Sequence, residues 1–309
     1  MPLNEQAARV LERLAAMGGA PVIESTLGEA RHGAWVWAEF MGEPEPVADV
    51  RHRFIPGPTA ELPVAVYTPS GGDPRGAIVY FHGGGWVLGN IDLADRPHRA
   101  LANATRCVVV AVNYQKAPEH RFPTAADDAL AAFDRAMENA GDMGVDAATV
   151  GVGGDSAGGN LAAAVALRAR DRAGSVPAFQ LLVYPVLDPA LDSGSALACA
   201  EGFGLSTEEM RWYWRQYLRT PQDGDDAYAS PGRATDLTGV APAVVVTVEF
   251  DPLRDEGRRY ADRLEAAGVR VVRHDYPGAI HGILCLGDSV PEYRRLLGDL
   301  ADGVGALLG

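Results

Sequence analysis

The chain has 309 residues, of which 47% are hydrophobic, and a formal net charge of -14 at pH 7. This length can bury a large core, and an acidic balance without a Lys/Arg cluster argues against nucleic-acid binding. No apolar run approaches the roughly 18 residues that a membrane span needs. Glu5 and Glu12 stand where a signal peptide would have a basic start and an apolar stretch, so we expect a cytoplasmic protein.

The N-terminal segment is predicted to be helical. Asn4 can cap a first helix, whose apolar stripe ends at Gly18-Gly19. A second helical stretch is predicted from about Leu27 to Met41. The segment Gly42 to Pro46 breaks the periodicity and is typical of a linker.

Strands alternate with helices over the rest of the chain, and several strands are continuous apolar runs of the kind buried on both faces. The predicted strands are Val50 to Ile55, Val64 to Tyr67, Ala77 to Phe81, Val108 to Val112, Thr149 to Val152, Gln180 to Tyr184, Val244 to Val248 and Val269 to Tyr276. The predicted helices are Ala125 to Asn139, Ala157 to Arg172, Arg254 to Ala267 and Pro291 to Leu308. This alternation predicts an α/β fold with a mostly parallel, doubly wound sheet.

One interval, Pro189 to Asp226, interrupts the alternation and is interpreted as an insertion. It contains a helix that Ser206 or Thr207 can cap, followed by the aromatic run Trp212-Tyr213-Trp214 and by Tyr217. Two interpretations stay open for the aromatic helix face. It packs on the main domain, or part of it roofs a substrate pocket.

Gly154-Asp155-Ser156-Ala157-Gly158-Gly159 follows a predicted strand and opens a predicted helix. This is the strand-turn-helix context of a nucleophile elbow, in which the serine hydroxyl is exposed above the sheet. The Ala157 N–H then lies at a helix N-terminus, where it can donate to a developing oxyanion.

His82-Gly83-Gly84-Gly85 follows the buried strand Ala77 to Phe81, at the same edge of the sheet as Ser156. Glycine lets the backbone turn its amides toward a ligand, so Gly83 and Gly84 are predicted to donate the other oxyanion N–H groups. His82 is interpreted as a residue that fixes this loop by hydrogen bonds, not as the general base.

A serine nucleophile needs a histidine base and an acid that holds the histidine tautomer. Downstream of Ser156 only His274 and His281 remain; His274 falls within a strand and His281 in a loop after it, so His281 is the predicted base. The acids that compete are Glu249, Asp251, Asp255 and Glu256. Asp251 is preferred because it lies just past a strand end, with Glu249 next.

The three cysteines, Cys107, Cys199 and Cys285, are odd in number and lack C-x-x-C spacing. They predict free thiols and neither a disulfide framework nor a zinc site. Serine hydrolysis needs no metal or organic cofactor, and we expect none.

From about Ile55 to Gly309 the chain closely resembles the bacterial hormone-sensitive-lipase-like esterases, the family IV carboxylesterases of the α/β-hydrolase superfamily. The motifs that carry the resemblance are His82-Gly83-Gly84-Gly85, Ala117 to Pro123, Gly154 to Gly159, Asp251 to Gly257 and His281-Gly282. Two departures are Asn113-Tyr114-Gln115-Lys116, where Tyr-Arg-Leu is usual before Ala117, and Ile283, where phenylalanine is usual.

The resemblance implies an α/β-hydrolase fold in a single domain over residues 1–309, with a helical cap from about residues 1–45 plus the insertion 189–226. It implies a Ser156, Asp251, His281 triad, with an oxyanion hole from Gly83, Gly84 and Ala157. It also suggests a homodimer through the edge strand Val269 to Tyr276. Candidate residues for the pocket lining are Trp86, Phe203, Trp212, Tyr213, Trp214 and Tyr217.

These features predict a serine carboxylesterase that hydrolyses short- to medium-chain acyl esters of small molecules through an acyl-enzyme. An amidase or deacetylase acting on an acylated metabolite is the nearer alternative, because it would use the same triad. A ligand-binding receptor of the same fold is disfavoured, since His281 is present.

Overall fold

The computed structural model describes residues 2–172 and 174–309. Met1 and Ala173 lie outside the described residues. Both belong to the predicted single domain, and Met1 also belongs to the predicted cap. Over the described residues no helix combines the length and apolar character needed to cross a bilayer.

An eight-stranded sheet forms the centre of the molecule, in the order β1-β2-β4-β3-β5-β6-β7-β8. Its strands are β1 Asp49–Pro56, β2 Glu61–Thr68, β3 Ala77–Phe81, β4 Val108–Val112, β5 Val150–Asp155, β6 Gln180–Val183, β7 Ala243–Phe250 and β8 Val271–Ile280. The first two strands pair antiparallel, and all the pairings from β4 to β8 are parallel. Every predicted strand is present, and the mostly parallel sheet is confirmed.

The register of the central strands decides where the functional loops lie. Every residue of β3, β4 and β5 is buried, as their continuous apolar sequences require. Phe81, the last residue of β3, is paired with Gly154 near the end of β5. Because parallel strands end at the same edge of a sheet, the loop after Phe81 and the turn after Asp155 lie side by side.

Helices cover both faces of this sheet. They are α1 Glu5–Met17, α2 Leu27–Gly33, α3 Asp95–Thr105, α4 Thr124–Glu138, α5 Ala157–Asp171, α6 Gly194–Ala198, α7 Thr207–Tyr217, α8 Arg254–Ala266 and α9 Glu292–Leu308. Short 3-10 helices occur at Val22–Glu24, Ala34–Glu39, Ala140–Met143, Ala147–Thr149, Pro221–Asp225, Pro231–Arg233, Ile283–Cys285 and Gly287–Ser289.

The N-terminal helices agree with the sequence in part. Asn4 caps α1 as predicted, and its side-chain oxygen accepts from Gln6 N at 2.8 Å. The second predicted helix is shorter than expected, because α2 ends at Gly33 and the chain continues as a 3-10 helix over Ala34–Glu39. Glycine weakens a helix, and the aromatic and β-branched residues that follow lose side-chain freedom in one.

Helix α3 was not predicted from the sequence. It begins after Ala94, which provides no side-chain cap, and it carries Pro97 in its first turn. Neither start signal of a helix is therefore visible before it. Its buried residues pack against β2 and β4.

The insertion carries α6 and α7, and Ser206 caps α7 as predicted. Ser206 Oγ accepts from Glu209 N at 3.1 Å, while Glu209 Oε2 accepts from Ser206 N at 2.8 Å. Trp214 and Tyr217 are buried against Trp86, whose ring stacks on Tyr217 with centroids 4.2 Å apart. Trp214 and Tyr217 therefore pack on the main domain, whereas Met210, which shares their helix face, lines a cavity, so each interpretation holds for part of the face.

Candidate active site

Ser156 lies in the sharp turn between β5 and α5. Its backbone has φ 55° and ψ -119°, a conformation that L-residues rarely adopt and that is typical of a nucleophile elbow. A Cβ at Gly158 would overlap the carbonyl oxygen of Phe81, and a Cβ at Gly154 would overlap the Gly158 backbone. Both glycines of the motif are therefore required by close backbone approach.

Two hydrogen bonds join Ser156 to an acid through His281. The Nε2 atom of His281 lies 3.0 Å from Ser156 Oγ, and its Nδ1 atom lies 2.8 Å from Asp251 Oδ2. Asp251 directly follows β7 and has no solvent exposure; its other oxygen accepts from Leu253 N at 2.9 Å. A buried carboxylate on Nδ1–H fixes the imidazole tautomer, which leaves Nε2 free to accept the serine proton.

The competing acids have other partners. Glu249 accepts from Gly278 N at 2.6 Å, and Asp255 accepts from Ser195 N at 2.7 Å. Glu256 is buried and accepts from Leu187 N at 2.7 Å; burial raises its pKa well above the usual range. Among these four candidates, Asp251 is the one that contacts His281.

His274 lies within β8, as its sequence position predicted. Its Nδ1 atom is 3.6 Å from Asp299 Oδ2, a contact with α9 and not with the serine. The structure thus brings His281, and not His274, to Ser156.

In the glycine-rich loop, the structure contradicts the prediction that the Gly83 amide is an oxyanion donor. The Gly83 amide donates to Asp155 Oδ1 at 3.1 Å, so this N–H is not available to a substrate oxygen. Gly84 and Gly85 have φ values of 109° and 59°, and neither amide has an acceptor within the described part of the chain. The available donors are therefore the N–H groups of Gly84, Gly85 and Ala157, the last at the first position of α5.

Gly85 was missed because sequence reasoning could not tell which of three consecutive glycines faces Asp155. A Cβ at Gly83 would overlap the Asp155 carboxylate, and one at Gly85 would overlap the Tyr213 ring. The sequence signal that could have identified the occupied amide is Asp155, because an acid directly before Ser156 is placed to accept a hydrogen bond from an amide of the neighbouring loop.

His82 holds this loop, as predicted. Its Nδ1 atom is 2.7 Å from Gly83 O, and its ring stacks on Tyr114 with centroids 4.5 Å apart. The Tyr114 hydroxyl donates in turn to His82 O at 2.8 Å. Burial lowers the pKa of His82 well below its usual value, so its imidazole is neutral.

Asp155 connects the loop to the sheet. Besides the Gly83 amide, its Oδ1 atom accepts from the Tyr80 hydroxyl at 3.1 Å. Burial raises the pKa of this carboxyl, and the hydrogen bond from Tyr80 opposes that shift. The side chain therefore lies below the loop as a buried acceptor for one amide and one hydroxyl.

A cavity of about 220 Å³ contains Ser156, His281 and the glycine-rich loop. Residues from the N-terminal segment and from the insertion line it together with the main domain; they include Ala34, Trp37, Met41, Leu205, Met210 and Tyr213. Cys285 also lines it, and burial raises the pKa of its thiol, which argues against a thiolate nucleophile. The prediction of free cysteines is confirmed for all three.

The predicted aromatic lining is corrected, because Tyr213 alone of the six residues lines this cavity. Trp86, Trp214 and Tyr217 pack against one another in the core. Phe203 stacks on Phe250 with centroids 4.7 Å apart, and Trp212 contacts the Tyr213 ring edge-on. Consecutive aromatic residues on one helix point in different directions, so only one of them reaches the site.

Comparison with known proteins agrees with this architecture. A family described as "alpha/beta hydrolase fold" matches residues 78–285. The chain belongs to this family. It is 42% identical over 254 residues to the carboxylic ester hydrolase LipN of Mycobacterium tuberculosis, covering 80% of this chain and 68% of that protein. It is 37% identical over 254 residues to the ethyl acetate hydrolase of Pseudomonas putida, covering 81% and 79%.

Solved structures agree over nearly the whole of this α/β-hydrolase. The ester hydrolase EH1AB1 from the metagenome of Lake Arreo superposes with a TM-score of 0.94 at 39% identity, covering 98% of each chain. A hyperthermophilic esterase from Pyrobaculum calidifontis superposes with a TM-score of 0.93 at 37% identity, covering each chain completely. The resemblance to the hormone-sensitive-lipase-like carboxylesterases is thus confirmed.

Proposed function

We propose that this carboxylic ester hydrolase cleaves short- to medium-chain acyl esters through an acyl-enzyme formed on Ser156. The observation that carries the proposal is the hydrogen-bonded chain from Asp251 through His281 to Ser156, which ends in a cavity beside unpaired backbone amides. It combines a nucleophile, a base, a buried orienting acid and oxyanion donors, the parts that acyl transfer requires.

In the first step Ser156 Oγ attacks the acyl carbon, and its proton passes to His281 Nε2. The carbonyl oxygen becomes an oxyanion that accepts from the N–H groups of Gly84, Gly85 and Ala157. Asp251 stabilises the imidazolium that forms, since it accepts from Nδ1–H.

The tetrahedral intermediate then collapses. The bond from the acyl carbon to the alcohol oxygen breaks, and His281 gives its proton to that oxygen, so the alcohol leaves and the acyl group stays on Ser156. Water next attacks the acyl carbon while His281 accepts a water proton. Return of that proton to Ser156 Oγ releases the carboxylic acid and restores the enzyme.

The size of the cavity supports a limit on the acyl chain. Its walls include the bulky side chains of Trp37, Met41, Met210 and Tyr213. Each methylene that fits gains about 0.8 kcal/mol, whereas one that must displace packed walls costs about 1 to 3 kcal/mol. Turnover is therefore expected to peak near acyl chains of about four to six carbons and to fall by about ten.

A series of p-nitrophenyl esters from acetate to palmitate tests this proposal, with matching anilides to compare ester and amide cleavage. A rate that rises steadily to palmitate would show that the cavity does not bound the acyl group. Anilides cleaved faster than esters would favour the amidase alternative. Ser156→Ala is the control for background hydrolysis.

We further propose that residues 1–45 and 189–226 form the cap of a single domain. Lining residues from both segments support this assignment. The position of β8 at the edge of the sheet is compatible with the predicted homodimer, which light scattering would test. A cytoplasmic location stays a prediction from the sequence.

A further inference from the structure

A second pocket, of about 450 Å³, lies beside the catalytic cavity and shares Gly89, Asn90 and Leu93 with it. Its other walls are Arg31, His32, Trp35, Asn113, Lys116, Glu119 and His120. The mechanism above uses none of these seven side chains. Lys116 belongs to the segment in which the sequence departs from the usual family motif.

Lys116 is the single lysine of the chain, since the other 26 of the 27 basic residues are arginines. Its Nζ atom donates to Asn113 Oδ1 at 2.7 Å and to Tyr114 O at 3.3 Å. An ammonium has three N–H donors, so one remains without a hydrogen bond to the described residues, and Nζ lies 5.5 Å from the centroid of the Tyr114 ring. Within residues 2–172 and 174–309 no carboxylate lies within 4.0 Å of this ammonium.

The neighbouring carboxylates, Glu119 and Asp128, have hydrogen-bond partners other than Lys116. Arg31 binds both carboxylate oxygens of Glu119 at 2.7 Å, and it also donates to two backbone carbonyls. Asp128 accepts from the backbone and side chain of Gln115. Burial lowers the pKa of Lys116 to about 8, and the charge of Arg31 acts in the same direction, while the charges of Glu119 and Asp128 oppose the shift.

The net charge of -14 does not cancel the charge of the Lys116 ammonium, because interactions with exposed charges more than about 8 Å away are screened at physiological ionic strength. Trp35 adds a large apolar surface at the pocket, where 45% of the residue is exposed. The one free N–H of Lys116 suits a single carboxylate group, whereas a phosphate presents three strong acceptor oxygens to one donor.

We propose that the second pocket binds a small organic carboxylate, which pairs with Lys116 Nζ and lays its carbon skeleton against the exposed Trp35 ring. The carboxylate comes from a free acid or from the free end of a half-ester, whose ester group would reach the adjoining catalytic cavity. Only the half-ester source rests on the proposed ester hydrolysis.

Because Lys116 is the single lysine, reductive methylation modifies the chain only there and at its α-amino group. We expect succinate, at about ten times its dissociation constant, to slow Lys116 methylation at pH 8 about tenfold and to leave the α-amino rate unchanged. Succinamide at matched ionic strength is the neutral control and should protect neither amine. Equal Lys116 rates with succinate and succinamide would overturn the proposal.

Variants give an independent readout. Succinate should raise the melting temperature of the wild-type protein and of Lys116→Arg, but not of Lys116→Met; a shift that persists in Lys116→Met overturns the proposal.

If the ligand is a half-ester, Lys116→Met raises KM for monoethyl succinate and leaves KM for diethyl succinate unchanged. If both KM values are unchanged while succinate protects Lys116, the ligand is the free acid. Turnover of p-nitrophenyl butyrate tests the proposed function separately from these binding measurements.

Discussion

At the scale of single residues, the two downstream histidines form a matched pair for mutagenesis. His281→Ala removes the atom that lies 3.0 Å from Ser156 Oγ, so we expect turnover to fall on the order of 10⁴-fold or more. Added to Ser156→Ala it should cost little further, because the two residues act as a unit. His274→Ala should be mild, and an inactive His274→Ala protein would contradict the assignment.

Asp155 gives a second residue-scale prediction. Asp155→Ala removes the acceptor of the Gly83 amide, so the loop that carries Gly84 and Gly85 loses its anchor. We expect turnover to fall about 100-fold, the lower end of the loss caused by removing an oxyanion donor. Asp155→Asn keeps an oxygen acceptor of the same size and should retain most activity in the same kinetic assay. Equal losses in the two variants would assign the effect to charge instead.

The sequence predicted the residues that meet at the nucleophile, because motif spacing and strand order restrict the candidates for base and acid to a few residues. It could not predict which glycine amides face the substrate. That choice depends on the direction of the Asp155 side chain, which a sequence does not record. The prediction of the aromatic lining was wrong for a related reason. Tyr213 and Trp214 are neighbours in sequence, but Tyr213 lines the cavity and Trp214 packs against Trp86.

At the scale of elements, α7 is held at its start by the reciprocal hydrogen bonds of Ser206 and Glu209, and it positions Tyr213 in the cavity wall. Ser206→Ala should destabilise the protein by about 1 kcal/mol, the usual cost of losing a helix cap. It should also raise KM for p-nitrophenyl butyrate, because the wall becomes less well ordered. Ser206→Asn, which can still cap the helix, should restore both the melting temperature and KM. An unchanged melting temperature in Ser206→Ala would show that packing alone holds α7.

Element prediction from the sequence was accurate for the strands and less so for the helices. Buried parallel strands appear as short unbroken apolar runs, and their length and their content of β-branched residues distinguish them from buried helix segments. Helix α3 has no capping residue and contains Pro97, so it lacked a visible start, while α2 ended early because the residues after Gly33 favour a tighter turn.

At the scale of the whole molecule, acid stability depends on buried histidines. Burial lowers the pKa of His98 to about 4 from 6.5, so the unfolded chain binds a proton more readily than the folded one between these values. The stability that the neutral His98 contributes is fully present above pH 6.5 and is lost as the pH decreases toward 4. At about 1.4 kcal/mol for each tenfold change in proton affinity, the loss is about 3 kcal/mol.

Urea unfolding of the wild-type protein and of His98→Leu between pH 4 and 7 measures this contribution. The wild type should lose about 3 kcal/mol more than the variant over that range. Asp128, Asp155 and Glu256 have raised pKa values and act in the opposite direction, but they are present in both proteins and cancel in the difference. Parallel pH profiles for the two proteins would contradict the prediction.

The strand β8 links catalytic activity to the integrity of the edge of the sheet. This strand lies at the edge of the sheet, is paired on one side by β7, and ends directly before His281. His281, the proposed base, lies 125 residues after Ser156, so synthesis must pass His281 before the first turnover is possible. Edge strands also open at lower free energy than central ones. Ester hydrolysis should therefore be lost when β8 separates from β7, so heating is expected to inactivate the enzyme while most of its sheet is still intact.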